Sequence, residues 1–278
     1  MSECTHDCST CGESCAERQS EPAVTLNKLS KVNKVIAVMS GKGGVGKSMV
    51  TSLLASAVQS KGYNAAILDA DVTGPSIPQA FGVHSKAYGD ENGILPVFAK
   101  NGTQIMSINL LLADETDPVV WRGPVIAGAV TQFWTDVVWS DVNYMFVDMP
   151  PGTGDVPLTV LQSLPVDGIV VVTSPQELVE MIVGKAVKMA KLLNVPILGF
   201  VENMSYFVCP SCGQKHSIFG ESRVDEFAHN SGVDCVCKLP IDPSLAHLCD
   251  EGKIYTADVS ALDELVEKII ALPDKKQA

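Results

Sequence analysis

Along most of the chain, short apolar runs alternate with longer stretches whose apolar positions recur every three or four residues. The runs are Lys34–Met39, Ala65–Leu68, Gln104–Ile108, Tyr144–Val147, Gly168–Val172, Ile197–Val201 and Cys235–Leu239. Most are β-branched and apolar on both faces, which predicts strands of a parallel sheet covered on each side by helices. Gly46–Ser60 is expected to be helical. Glu177–Leu193 sets Leu178, Ile182, Ala186, Ala190 and Leu193 on one stripe, and Val259–Leu272 does so with Leu262, Leu265, Val266, Ile269 and Ile270. Asn92-Gly93 and Asn101-Gly102 are tight-turn dipeptides that predict a small inserted hairpin. The alternation implies an α/β fold, a doubly wound and mostly parallel sheet that binds ligands at the carboxyl ends of its strands. A single domain, residues 31–278, is expected.

Residues 1–30 break the pattern. They are polar, lack helical or strand periodicity, and read as a flexible tail with its own metal site. Cys4, Cys8, Cys11 and Cys15 are spaced C-x3-C-x2-C-x3-C, so four thiols within twelve residues suffice to wrap one iron–sulfur cluster, with zinc as the alternative. The N-terminus has no apolar signal-peptide core and no apolar run approaches the roughly 18 residues of a membrane span, so a cytoplasmic protein without membrane contact is expected. A net charge of −12 disfavours nucleic acid as a partner. Nine cysteines in such a chain point to metal or redox chemistry rather than disulfides. Cys209 and Cys212 form a second group, whereas Cys235, Cys237 and Cys249 are expected to pack as small hydrophobes in the core.

The strongest motif lies between the first strand and the first helix. Ser40-Gly41-Lys42-Gly43-Gly44-Val45-Gly46-Lys47-Ser48 satisfies G-x-x-x-x-G-K-[ST] in the strand–loop–helix context that the motif requires. Glycines let the backbone wrap a phosphate chain, and the helix N-terminus adds positive potential. Lys47 is expected to reach the β- and γ-phosphates of ATP, and the Ser48 hydroxyl to ligate Mg²⁺. The additional Lys42 resembles the deviant Walker A loop of the MinD/ParA/nitrogenase-iron-protein group. That resemblance implies a lysine reaching across a dimer to the partner's nucleotide, like an arginine finger in trans. Leu68-Asp69-Ala70-Asp71 ends the second strand and places Asp71 near the phosphates as water-orienting group or base, with Asp69 competing for the role. Asp148, at the end of Tyr144–Val147, reads as a Walker B carboxylate holding Mg²⁺ through water, and the Gly152 amide as a γ-phosphate sensor.

Four further segments carry a closer resemblance. Asp148-Met149-Pro150-Pro151-Gly152-Thr153-Gly154-Asp155, Trp121-Arg122-Gly123-Pro124, Glu202-Asn203-Met204-Ser205 and Cys209-Pro210-Ser211-Cys212-Gly213 are similar to the Mrp/ApbC family of P-loop iron–sulfur carriers. The resemblance runs from about Val32 to Leu272. It implies a homodimer with a 4Fe–4S cluster bridged by Cys209 and Cys212 of each subunit and passed on to apo iron–sulfur proteins. It also implies that Asn203 hydrogen-bonds adenine, with Pro240-Ile241-Asp242 beside the base. Two thiolates cannot fill a four-cysteine cluster site, so a lone C-x-x-C invites completion by a second chain. Cys-Pro-x-Cys-Gly is equally a zinc-knuckle turn, although a zinc ribbon wants a second C-x-x-C some 15–20 residues on. Some family members carry an N-terminal cluster on more widely spaced cysteines. A MinD/ParA-type positional ATPase and a nitrogenase-like reductase are the alternative functions. Against the first, the C-terminal helix carries Asp263, Glu264 and Glu267 instead of a basic membrane-binding face.

Overall fold

The computed structural model describes residues 24–72, 74, 76–112, 123–175 and 179–273. Cys4, Cys8, Cys11 and Cys15 therefore lie outside the described residues, as do Thr73, Pro75, Trp121, Arg122, Glu177 and Leu178.

The sheet grows outward in both directions from β1 (Val32–Ser40). On one side come β7 (Val142–Asp148), β2 (Ala65–Asp69) and β6 (Gln104–Met106), all parallel to it, then the antiparallel edge strand β5 (Val97–Phe98). On the other side come β8 (Gly168–Thr173), β9 (Ile197–Val208) and β11 (Val236–Pro240), again parallel. The short β10 (Lys215–His216) closes antiparallel onto the far end of β9. β1 is thus the point where the winding direction reverses, and its carboxyl end opens into the crevice where such folds bind ligands.

Successive residues of β1 feed two different cores. Val35, Ala37 and Met39 enter one apolar cluster, whereas Ile36 and Val38 enter the other. This follows from the two-residue period of a strand in a sheet covered on both faces. The first cluster lies under α3 (Gly123–Thr135), α4 (Asp155–Ser163), α5 (Val179–Leu192) and α6 (Val224–Ser231). The second lies under α1 (Lys47–Ser60), α2 (Ile77–Ala80), α7 (Pro243–Asp250) and α8 (Asp263–Ile270). The fold is the doubly wound α/β arrangement expected from the alternation.

Several boundaries differ from the expected ones, each for a local reason. The run read as Gln104–Ile108 leaves the sheet after Met106, and Ile108–Leu110 forms a 3₁₀ turn, because the Ser107 hydroxyl turns to Asp69. The last helix begins with a 3₁₀ turn at Ser260–Leu262; its Leu262, Leu265, Val266 and Ile269 are fully buried, as their stripe predicts. The inserted hairpin is real: β3 (Tyr88–Asp90) pairs antiparallel with β4 (Gly93–Leu95) across the Asn92-Gly93 turn. Asn101-Gly102 likewise turns β5 into β6.

Upstream of β1 the chain already lies on the domain. Trp134 Nε1 donates to the Val24 carbonyl at 3.1 Å, and the Ser30 hydroxyl to the Val137 carbonyl at 3.0 Å. Among the described residues no helix is long and apolar enough to cross a membrane.

Candidate functional site

The crevice at the end of β1 is a cleft of about 420 Å³ lined by the glycine-rich loop, by Lys47, Ser48 and Asp71, and by Cys249 and Asp250 at the end of α7. The loop cannot follow ordinary backbone geometry. Gly46 caps α1 at φ +83°, in the left-handed region, and a Cβ there would stand 2.2 Å from Asn203 Nδ2. Gly43 and Gly44, by contrast, face open space. This is a backbone shaped to admit a ligand on one side while resting on β9 on the other.

Two carboxylates converge on the buried Lys47. Its Nζ lies 2.8 Å from Asp148 Oδ1 and 3.4 Å from Asp71 Oδ2. Burial alone would lower the lysine's pKa, but the charges of Asp148 and Asp71 outweigh it and raise it, so the ammonium is held firmly charged. The Ser48 hydroxyl donates to Asp148 Oδ2 at 2.6 Å. Thr51, one turn further along α1, places its hydroxyl 2.8 Å from Asp148 Oδ1. The P-loop end of α1 and the end of β7 are thereby cross-linked across about 100 residues of sequence. Sequence reasoning missed Thr51, although its i+3 spacing from Ser48 was the available signal.

The two aspartates after β2 are separated by the structure. Asp71 lines the cleft. Asp69 is fully buried, accepts from the Ser107 hydroxyl at 3.0 Å and from the Asp71 amide at 3.1 Å, and has its pKa pushed up by burial and by the nearby charge of Asp148. Ser107 too was invisible to motif reading, because only the pairing of β2 with β6 brings it beside Asp69.

Other residues expected at the nucleotide are engaged locally. Gly152, at φ +97°, donates its amide to the Ser40 carbonyl at 2.9 Å. Asn203 is buried and donates from Nδ2 to the Val45 carbonyl at 2.9 Å. Asp242 is exposed and caps α7, accepting from the Ser244 amide at 2.8 Å. Lys42 is half-buried, its carbonyl accepts from the Ser40 hydroxyl at 2.9 Å, and it does not line the cleft. Cys249 packs against the second core from its edge, half-buried on the cleft wall, and burial with the neighbouring Asp250 raises its thiol pKa. Cys235 and Cys237 are core thiols sharing a face with Leu239. Cys235 donates to its neighbour's sulfur, which with burial keeps it protonated.

Cys209 and Cys212 stand apart, on the turn between β9 and β10. The Gly213 amide donates to the Cys209 carbonyl at 2.8 Å and the Cys209 amide to the Gln214 carbonyl at 2.9 Å, which closes a tight knuckle with Gly213 at φ +73°. The amides of Ser211 and Cys212 point at the Cys209 sulfur and lower its pKa, favouring the thiolate that binds metal. Cys212 is exposed, and Val208, Ile218 and Phe219 nearby in the chain are exposed apolar residues. Lys215 Nζ lies 4.3 Å from the centre of the Tyr206 ring, bracing the stem. Among the described residues no third His, Cys, Asp or Glu joins the pair to form a metal-holding group.

Comparison with known proteins shows the family of the chain. A ParA family model, described as NUBPL iron-transfer P-loop NTPase, matches residues 31–272. An iron–sulfur cluster carrier protein of Methanocaldococcus jannaschii is 40% identical, with 100% of each chain covered. One from Saccharolobus solfataricus is 44% identical over 82% of this chain and 78% of its own. A solved nucleotide-binding protein from Archaeoglobus fulgidus, in complex with ADP and with Co found in it, superposes with a TM-score of 0.74. It is 42% identical and covers 82% of this chain and 89% of its own. The cell division ATPase MinD of Pyrococcus furiosus superposes at 0.61 with 19% identity, covering 87% of this chain and all of its own, and speaks to the fold alone.

Proposed function

This chain belongs to the iron–sulfur cluster carrier family of ParA/MinD-type P-loop NTPases, and from that premise we propose that it couples ATP hydrolysis to the assembly and transfer of a 4Fe–4S cluster. The cluster is cargo, held between Cys209 and Cys212 of two subunits and delivered to apo iron–sulfur proteins in the cytoplasm. The observation that carries this reading is the knuckle itself: a surface thiol pair, Cys212 exposed and Cys209 half-buried, with amides aimed at one sulfur, and only two ligands per chain among the described residues. Such a pair fits half of a four-thiolate site completed by symmetry, and its exposure suits release. A second cluster on Cys4, Cys8, Cys11 and Cys15 belongs to the same proposal.

The residues present fit Mg²⁺ and ATP. The Ser48 hydroxyl and Asp148 carboxylate form the oxygen pair that would hold Mg²⁺, the carboxylate through water. The metal would neutralise charge on the β- and γ-phosphates. Lys47, now paired with Asp148 and Asp71, exchanges those carboxylates for phosphate oxygens. Gly43, Gly44, Val45 and Gly46 offer backbone amides to the phosphates, Gly41 opens the loop, and Asp71 orients the attacking water from the cleft wall. For the Gly152 amide to sense the γ-phosphate it leaves the Ser40 carbonyl, so nucleotide and β1 compete for one donor. Lys42 acts on the partner subunit's nucleotide. Asn203 and Asp242 lie on the segments assigned to the base.

The test is anaerobic reconstitution of the full chain and of a Cys209→Ala/Cys212→Ala variant. The variant is expected to lose one cluster's iron and sulfide per dimer while binding ADP as before. Full iron and sulfide content in the variant rules out the bridging site.

A further inference from the structure

β9 runs far beyond the strands beside it, twelve residues against six in β8, and the two halves of the proposed machine hang from its middle. Glu202 and Asn203 are consecutive there, so their side chains leave on opposite faces of the sheet. Asn203 turns toward α1 and holds the P-loop through the Val45 carbonyl. Glu202, buried to 1% exposure, turns toward α6 and accepts two hydroxyl hydrogen bonds. The Ser205 hydroxyl donates to Oε2 at 2.5 Å and the Ser222 hydroxyl to Oε1 at 3.0 Å.

Those two serines bracket the cysteine loop. Ser205 precedes Cys209 on the outgoing strand, and Ser222 follows Cys212 where the chain returns to α6, its oxygen also within 3.4 Å of the Val224 amide. One carboxylate therefore closes the base of the whole excursion that carries Cys209 and Cys212. The junction between the two grips is strained. Met204 sits at φ +56°, in the left-handed region, with its amide held by Asn203 Oδ1 at 2.9 Å. Such a conformation persists in an unbranched, non-glycine residue only where its surroundings over-determine it. Just beyond, the pairing of β11 with β9 shifts register between Lys238 and Pro240 before it resumes at Tyr206, so the ladder of the outer part of β9 is out of step with that of the inner part.

We propose that Glu202 is a positioning residue that ties the conformation of the Cys209–Cys212 loop to nucleotide occupancy of the P-loop. Nucleotide entering the loop bears on Val45 and hence on Asn203. The strained Met204 linkage passes that displacement to the Glu202 clasp, and the clasp sets how the base of the cysteine loop is held. The inference deepens the cluster-carrier reading, and rests on it for the meaning of the loop, but not for its test.

The test uses the cluster-free full chain, with labelling of Cys209 and Cys212 by iodoacetamide followed by peptide mass spectrometry. Rates are compared without nucleotide and with saturating Mg²⁺ and a non-hydrolysable ATP analogue. In the wild type the two rates are expected to differ about fivefold, the lower end of ordinary allosteric coupling. In Glu202→Ala the ratio is expected to fall to about one, with nucleotide still bound. In Glu202→Gln, whose amide oxygen still accepts one hydroxyl, part of the ratio returns. A merely structural loosening raises both rates together and leaves the ratio intact, and that result overturns the proposal. So does a wild-type ratio of one. Should Glu202→Ala fail to fold, Ser222→Ala, which removes one arm of the clasp, must by itself lower the ratio; an unchanged ratio there overturns the assignment too. Because no cluster is present, a failed reconstitution at Cys209 and Cys212 leaves this result standing, and the reverse holds as well.

Discussion

The P-loop and the cysteine knuckle make opposite use of the same sheet. The P-loop sits where three strand ends meet, and its lysine, serine and threonine are locked to Asp148 by charged or short hydrogen bonds in a buried setting. The knuckle sits past the end of β9, held by a few backbone bonds and one buried carboxylate, with Cys212 exposed and Cys209 half-buried. Under the proposed function, the difference is between a site preorganised for a highly charged ligand and one that opens to give its ligand away. The first holds its lysine in ion pairs with Asp148 and Asp71. The second keeps a thiolate ready with amide donors that cost little to rearrange.

The comparison is sharpest if the P-loop binds its ligand within one chain and needs the second only for turnover, and Lys42 decides that. It belongs to the loop, and under the proposed function it serves the partner's nucleotide. Lys42→Ala is expected to bind ATP normally and to hydrolyse it about 10³-fold more slowly, the low end for a cation supplied in trans. Turnover is measured against protein concentration. A wild-type rate in the variant confines the whole reaction to one chain.

What the sequence alone could disclose divides along the same line. The P-loop was legible because its spacing is dictated by backbone geometry within nine residues, and Asp148 because a strand end preceded it. The partners that lock it, Thr51 and Ser107, and the clasp formed by Glu202 with Ser222, depend on contacts between elements distant in the chain. The reading of β9 as ending at Val201 failed for a related reason. From Glu202 onward polar residues interrupt the apolar run, because Glu202, Asn203 and Ser205 are buried in side-chain hydrogen bonds and only the strand's last residues, Phe207 and Val208, pair with the two-residue β10. Helices α2, α3, α4, α6 and α7 went unassigned. α7, at eight residues, and α4, at nine, are too short for a clear apolar stripe.

Two glycines sharpen the contrast further. Gly46 and Gly213 both hold left-handed backbone, so alanine at either costs about 1–2 kcal/mol. Only Gly46 has a neighbour in the way, the Asn203 amide that grips Val45; nothing lies within 4 Å of a Cβ at Gly213. Gly46→Ala is therefore expected to lower the melting temperature by several degrees more than Gly213→Ala, each kcal/mol being worth about 2–4 °C in a domain of this size. It should also weaken nucleotide binding, which Gly213→Ala leaves unchanged. Equal melting shifts, measured by calorimetry, deny that the P-loop is the more tightly packed of the two turns.

The smallest effect concerns two thiols, one at each site. The Ser211 and Cys212 amides pull the Cys209 pKa below that of an ordinary thiol, whereas burial and Asp250 push that of Cys249 above it. Alkylation proceeds through the thiolate, so its rate rises with pH until the group is fully ionised. Cys209 is therefore expected to reach its half-maximal rate at lower pH than Cys249, followed peptide by peptide in one sample. Nucleotide adds a second axis: Cys249 lines the cleft and should be shielded directly when the cleft fills, at every pH. Cys209 has no such shield, and any response it makes must arrive through β9. A nucleotide effect that scales the Cys249 rate but moves neither thiol's midpoint marks simple occlusion at the P-loop. If Cys249 were to titrate below Cys209, the amide donors would not be setting the charge of the knuckle, and the contrast between a preorganised pocket and a primed, exposed thiol would fail at its chemical root.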